Sequence, residues 1–234
     1  MKLERADGRP LVIGHRGAAA VAPENTLAAL AAAIAACVDL VEFDISPGLR
    51  LGHSLDELPN DAITLDDALE YLKVHGTGVH LDVKLPGYEE QVLDAIRRHD
   101  FFDRAVVSTA FAVTGRRFAH LAPELPRAIG YPRDRLGVSN LHWPRPLQRA
   151  GATALRQVMP VRVPVLLRWA HANTLSLHHT LCSRAAVSTA HRLGAPILAW
   201  TVNDPAGVRR VAEAGVDGIV SDDPEMTLAT LLAL

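Results

Sequence analysis

Three acidic residues pose the first chemical question. Glu42 and Asp44 stand two apart in VEFDI, and Asp82 stands in HLDVK between His80 and Lys84. Alternate residues of an extended strand share a face, so Glu42 and Asp44 project together, away from Val41, Phe43 and Ile45. His80, Asp82 and Lys84 likewise oppose Leu81, Val83 and Leu85. Three carboxylates brought together repel one another, and burial raises the cost. A hard divalent cation with oxygen ligands, Mg²⁺ or Ca²⁺, resolves that conflict. Arg16 and Lys84 would offset the remaining charge or hold an anionic substrate group. His15, beside Arg16 in the tripeptide HRG, brings an imidazole, which titrates near neutrality and suits proton transfer. Taken singly, His80 reads as a satisfied core histidine and Trp200 as packing.

These residues need a scaffold that gathers strand ends. Short apolar runs recur at 11–14, 38–45, 78–85, 105–109, 126–130, 174–178, 196–200 and 217–221. Between most of them lie stretches with helical apolar spacing and start or stop signals. Thr64 precedes Asp66 and Asp67, Pro205 and Pro224 sit at first-turn positions, and Gly194 and Gly215 lie just past helix ends. Residues 133–173, rich in Pro, Arg and His, resist assignment. About eight alternating units predict a single α/β domain over 1–234, a closed (β/α)₈ TIM barrel. A doubly wound open sheet is the competitor, but no G-x-G-x-x-G turn supports it. In a barrel, His15, Arg16, Glu42, Asp44, His80, Asp82, Lys84, Ser108, Trp200, Asn203, Ser221 and Asp222 all fall at the C-terminal rim. Active sites of this fold are built there.

The bulk composition leaves that reading open and closes others. Formal net charge is −2, so no basic field argues for nucleic acid. The longest apolar stretch, 27–38, is too short to span a bilayer. The polar first ten residues lack a secretory apolar core, which makes a cytoplasmic location the expectation. Cys37 and Cys182 are expected to be buried free thiols, far apart in sequence and without metal-type spacing.

The ordered series HRG at 15–17, PENT at 23–26, VEFDI, His53, HLDVK, WTVN at 200–203 and DGIVSDDP at 217–224 resembles the glycerophosphodiester phosphodiesterase family. The resemblance implies a (β/α)₈ barrel that hydrolyses glycerophosphodiesters to an alcohol and glycerol 3-phosphate with a divalent metal. It implies His15 and His53 as general acid and base, and Glu42, Asp44 and Asp82 as metal ligands. Arg16 and Lys84 would bind phosphate, Trp200 would contact substrate, and Glu24 and Asn25 would brace Arg16 and the start of the first helix. The implied partner is a small phosphodiester, not nucleic acid. Three departures stand out: the family has Glu where this chain has Asp82, Ser54 replaces the Asp that follows the second His, and the long insertion between His53 and the helix at TLDDAL is missing.

Two other readings remain open. Sphingomyelinase D-like phospholipases also combine a barrel, two histidines and an Asp at the position of Asp82, and cleave lysolipid diesters through a cyclic phosphate. A barrel that binds phosphorylated ligands without turnover is the non-enzymatic alternative. A metal-dependent amidohydrolase fits poorly, because HRG lacks a His-x-His pattern and the adjacent His178 and His179 would oppose each other on a strand.

Overall fold

The computed structural model describes Leu3, residues 8–54, 56, 58–133 and 145–234, with 145–150 as backbone only. Its strands are β1 (Leu11–Gly14), β2 (Leu40–Ser46), β3 (Arg50–Leu51), β4 (Gly78–Val83), β5 (Ala105–Thr109), β6 (Arg127–Tyr131), β7 (Thr174–His178), β8 (Ile197–Trp200) and β9 (Gly218–Ser221). All but β3 run parallel in the order β1-β9-β8-β7-β6-β5-β4-β2, and a β1–β2 pairing closes the ring. The short β3 folds back antiparallel on β2. The expected barrel is therefore the observed one.

Among the described residues, eight helices wrap the ring: α1 (Leu27–Ala35), α2 (Leu65–Lys73), α3 (Glu89–Arg98), α4 (Ala112–Leu121), α5 (Arg145–Ala170), α6 (Arg184–Arg192), α7 (Pro205–Ala214) and α8 (Pro224–Leu232). Their starts follow local chemistry. Thr64 and Asp67 form a reciprocal capping box on α2, while Asp204 and Asp223 cap α7 and α8 just ahead of Pro205 and Pro224. Helix α5 occupies the stretch that sequence left unassigned. It carries Pro160 and Pro164 internally and holds itself to the barrel through buried Met159, Val163, Leu167 and Ala170, spaced at helical intervals.

Alternation sorts each strand into two layers. Val41, Phe43, Ile45, Leu81 and Val83 face outward into a core shared with Leu65, Leu69 and Leu72 of α2. Each such side chain removed from water contributes roughly 1.5–3 kcal/mol. The inward layer starts apolar: Ile13, Leu40, Val106, Leu198 and Val220 meet inside the barrel. A Cβ on Gly218 would lie 2.7 Å from the Leu198 side chain and 3.1 Å from that of Ile13, so a larger residue there would push Leu198 aside. Two residues further along each of those strands, the inward positions are His15, Glu42, Ser108, Trp200 and Asp222. The barrel thus has an apolar floor and a polar mouth.

One cysteine departs from expectation. Cys182 is buried, and burial pushes its thiol up to about 12, but Cys37 is exposed. It sits just past α1 with a φ of 57°, where the chain turns toward β2 and points the side chain out.

Candidate active site at the barrel mouth

The loop from His15 to Thr26 is fastened to its surroundings at several points. The His15 amide donates to the Ser221 carbonyl at 2.8 Å, and the Gly17 amide to the Glu42 carbonyl at 3.0 Å. Arg16 adopts a φ of 51°, which lets its own amide donate to the Glu42 carboxylate at 2.8 Å. Gly17 has a φ of 90°, and a Cβ there would come within 2.5 Å of the Ala29 backbone. Only glycine lets the loop lie against α1. Thr26 caps α1, and its hydroxyl donates to the Pro23 carbonyl at 2.6 Å.

Strand register then assembles the acids. Glu42 pairs with His80, Asp44 with Asp82, and Asp82 with Ser108 across β2, β4 and β5. Neighbours in register on parallel strands share a face, so these side chains stack toward the mouth. One oxygen from each of Glu42, Asp44 and Asp82 lies within 4.8 Å of the other two. Lys84 reaches both Asp44 and Asp82 at 2.6 Å, and the Ser108 hydroxyl donates to Asp82 at 2.7 Å. Arg16 Nε lies 3.1 Å from Asp44, and its guanidinium meets Glu24 at 2.7 Å. Asn25 holds the Asp44 residue twice, through its amide nitrogen at 3.2 Å and by accepting the Asp44 amide at 3.0 Å.

Protonation follows from burial and these neighbours. Burial pushes the Glu42 carboxyl up to about 7 despite the proximity of His15. Burial also works against the Asp82 carboxylate, but Lys84 and Ser108 hold it well below the usual carboxylate range. Lys84 keeps its charge more firmly than a free lysine, because Asp82 and Asp44 outweigh its burial. The three carboxylates fit a hard divalent cation: all donors are oxygen, they converge, and a cation would hold Glu42 ionised where burial does not. Lys84 and Arg16 already neutralise part of the cluster, which leaves the choice between Mg²⁺ and Ca²⁺ unset by geometry.

His15 stands at the edge of this cluster. Its Nε2 lies 4.0 Å from Glu42, and its Nδ1 lies 2.5 Å from Asp222. Burial disfavours its charged form, but the Asp222 hydrogen bond and the charge of Glu42 raise it above the ordinary imidazole value. Asp222 is fixed in turn by the Asn203 side-chain amide, and Asn203 Oδ1 accepts the Asp222 backbone amide at 3.0 Å. Sequence placed Asp222 and Asn203 at the rim but gave them no task. The signal available was their position in DGIVSDDP and WTVN.

The other sequence-named residues spread around the mouth. His53 is exposed, and nothing among the described residues bonds its ring. Its preceding residue, Gly52, donates to the Asp44 carbonyl at 3.1 Å and accepts the Ser46 hydroxyl at 2.7 Å, so the backbone beside His53 is tied to the end of β2. Trp200 lies across the barrel on β8, edge-on to His178 at 5.2 Å between ring centroids. His80 is buried as expected, yet it is not satisfied: neither ring nitrogen has a hydrogen-bond partner, and burial lowers its pKa to about 4. His178 and His179 do not oppose each other, because β7 ends at His178 and a 3₁₀ turn begins at His179, bringing the rings within 4.7 Å. The sequence also offers His142 and Trp143 as parts of a substrate lid or of ordinary loop packing, and both lie outside the described residues.

Comparison with known proteins decides the family. The glycerophosphoryl diester phosphodiesterase family model matches residues 15–46 and 144–226, which include the HRG loop, the Glu-x-Asp strand and the Asn203–Asp222 pair. The chain belongs to this family. As a member it is a phosphoric diester hydrolase. The glycerophosphodiester phosphodiesterase of Caldanaerobacter subterraneus subsp. tengcongensis is 26% identical, over 96% of this chain and 98% of that one. Among solved structures, an Oleispira antarctica phosphodiesterase in complex with the product sn-glycerol-3-phosphate has a TM-score of 0.70 at 22% identity, covering 95% of this chain and 96% of that one. A glycerophosphodiester phosphodiesterase from Parabacteroides distasonis has a TM-score of 0.73 at 19% identity, covering 96% of this chain and 98% of that one.

Proposed function

We propose that the barrel mouth hydrolyses glycerophosphodiesters to glycerol 3-phosphate and an alcohol in a divalent-metal-dependent reaction. The observation that carries this reading is the convergence of Glu42, Asp44 and Asp82 beside His15, whose far nitrogen rests on Asp222. Glu42, Asp44 and Asp82 would hold the cation, Mg²⁺ or Ca²⁺. When bound, it supplies Lewis-acid polarisation of a non-bridging phosphoryl oxygen.

The protein's own groups have distinct tasks. Arg16 and Lys84 stabilise charge that builds on the phosphoryl oxygens. Glu24 holds the Arg16 guanidinium, and Asn25 holds Asp44, so both keep the anion-binding groups oriented. His15 is the general acid. Its raised pKa keeps it protonated to higher pH than a free imidazole, Asp222 accepts the Nδ1 hydrogen, and Nε2 delivers its proton to the leaving alkoxide. His53 is the complementary base, taking a proton from the attacking water as its oxygen bonds to phosphorus and the bond to the leaving alkoxide breaks. Trp200 and His178 offer an aromatic wall for the alcohol side of the substrate. Only residues 47–64 separate β2 from α2, and this supports a single domain over 1–234 without a long insertion after β2. The two free cysteines are compatible with a cytoplasmic location.

That aromatic wall also favours a second reading, cleavage of lysolipid diesters through a cyclic phosphate. Phosphorus NMR separates the two. Purified protein would be incubated with glycerophosphocholine, glycerophosphoethanolamine and lysophosphatidylcholine. Glycerol 3-phosphate from the glycerol diesters supports the main reading. A cyclic phosphate from the lysolipid, with the glycerol diesters untouched, replaces it with the second.

A further inference from the structure

Exposed large apolar side chains on this protein are mostly scattered singly, as at Val21, Val74, Val113 and Leu193. Such isolated residues need no explanation. Helix α5 differs. Val158, Val161, Val165 and Trp169 are 46%, 75%, 64% and 43% exposed, and they recur at intervals of three or four residues. That spacing makes one continuous stripe about 17 Å long. It lies on the far side of the helix from Met159, Val163 and Leu167, which face the barrel.

Charge singles out the same helix. It contains five arginines, at 145, 149, 156, 162 and 168, and no Asp or Glu. The chain as a whole carries −2, so everything outside α5 has a surplus of seven acidic charges. On a helical projection Arg162 and Arg168 fall on opposite flanks of the apolar stripe, and both are exposed. A third cation joins them from α4, where exposed Arg116 donates to the Trp169 carbonyl at 2.8 Å. An apolar stripe bordered by arginine, on a helix that itself contains no acid and with an indole at one end, matches the surface of an anionic bilayer. The valines and indole enter the headgroup boundary while the guanidiniums meet lipid phosphates.

We propose that the outward face of α5 docks this enzyme on anionic membrane surfaces. The helix lies flat, so the barrel rests on its flank and the catalytic mouth stays open to diesters at or near the lipid. The docking face shares no residue with the catalytic cluster, so this inference stands apart from the assignment of substrate.

Vesicle sedimentation of the full chain tests it, comparing phosphatidylcholine with phosphatidylcholine–phosphatidylglycerol mixtures. Two variants accompany the natural protein: Val161→Asp with Val165→Asp, and Arg162→Glu with Arg168→Glu. The natural protein should sediment with the anionic vesicles, release as salt rises, and ignore pure phosphatidylcholine. Each double variant should lose at least about tenfold in partitioning, with its melting temperature and turnover of soluble glycerophosphocholine unchanged. Three results overturn the proposal. One is no binding to anionic vesicles; another is binding that survives both double variants. The third is a natural protein that dimerises in analytical ultracentrifugation, is made monomeric by the valine variant, and fails to bind lipid.

Discussion

The Nδ1 atom of His15 lies 2.5 Å from the Asp222 carboxylate, and this contact ties together the ends of the neighbouring strands β1 and β9 at the mouth of the barrel. It fixes the imidazole by its inner nitrogen and leaves Nε2 facing the acidic cluster. A histidine held in that way moves protons at a defined place, and the consequences can be measured.

Replacing His15 with Ala removes the proposed acid, and kcat should fall by about 10²–10⁴. Asp222→Asn keeps the shape but withdraws the charge that raises His15. If His15 must be protonated, the alkaline limb of the pH–rate profile reports it. That limb should move to lower pH by about one unit or more, the worth of a charge-assisted hydrogen bond. An unmoved limb would remove His15 from the acid role.

The same pair should leave a mark on stability. His15 is raised above the ordinary 6.5, so its contribution is complete below that value and is lost as pH rises through the folded pKa. Asp222 is lowered from the ordinary 3.8, chiefly by the His15 hydrogen bond, so its contribution is present above that value and is lost as pH falls through the folded pKa. The stability difference between the natural protein and Asp222→Asn should therefore be largest between about pH 4 and 6.5 and shrink on both sides. Urea unfolding across that range checks it.

Gly17→Ala tests the loop rather than the chemistry. The added methyl would meet the Ala29 backbone at 2.5 Å, at a φ of 90° that suits glycine. The expected cost is at least about 1–3 kcal/mol, because backbone gives way less readily than a side chain. A urea midpoint that does not move would mean the loop does not lie against α1.

The carboxylate trio makes a prediction about binding as well as rate. Glu42→Gln or Asp44→Asn should weaken Mg²⁺ or Ca²⁺ binding by at least roughly 10–100-fold, the range seen for residues one step removed from a metal. Isothermal titration reads this without turnover. Asp66→Asn, which changes an acid paired with Arg98 and His99 on the barrel exterior, should leave metal affinity unaltered.

Strand positions were largely legible in sequence, because strict alternation marks VEFDI and HLDVK. The seven shorter helices were legible through their apolar spacing and through signals such as Thr64, Pro205 and Pro224. Helix α5 was not, since Pro160 and Pro164 contradict helix propensity and only packing of Met159, Val163 and Leu167 overrides them. The acids could be grouped from sequence because strand ends converge in a barrel. The Asp222 contact could not, since 207 residues separate it from His15. Nor does local sequence reveal that His80 is buried without a partner or that Cys37 turns outward. Both depend on how neighbouring elements close around them.

The most direct test of the central claim is a metal add-back followed by phosphorus NMR. Protein stripped with EDTA and dialysed is given glycerophosphocholine, then Mg²⁺ or Ca²⁺. The account predicts no turnover before the metal, glycerol 3-phosphate after it, and none in the Glu42→Gln variant at the same metal concentration. Equal turnover with and without metal, or a folded, metal-loaded protein that leaves the diester intact, would contradict it.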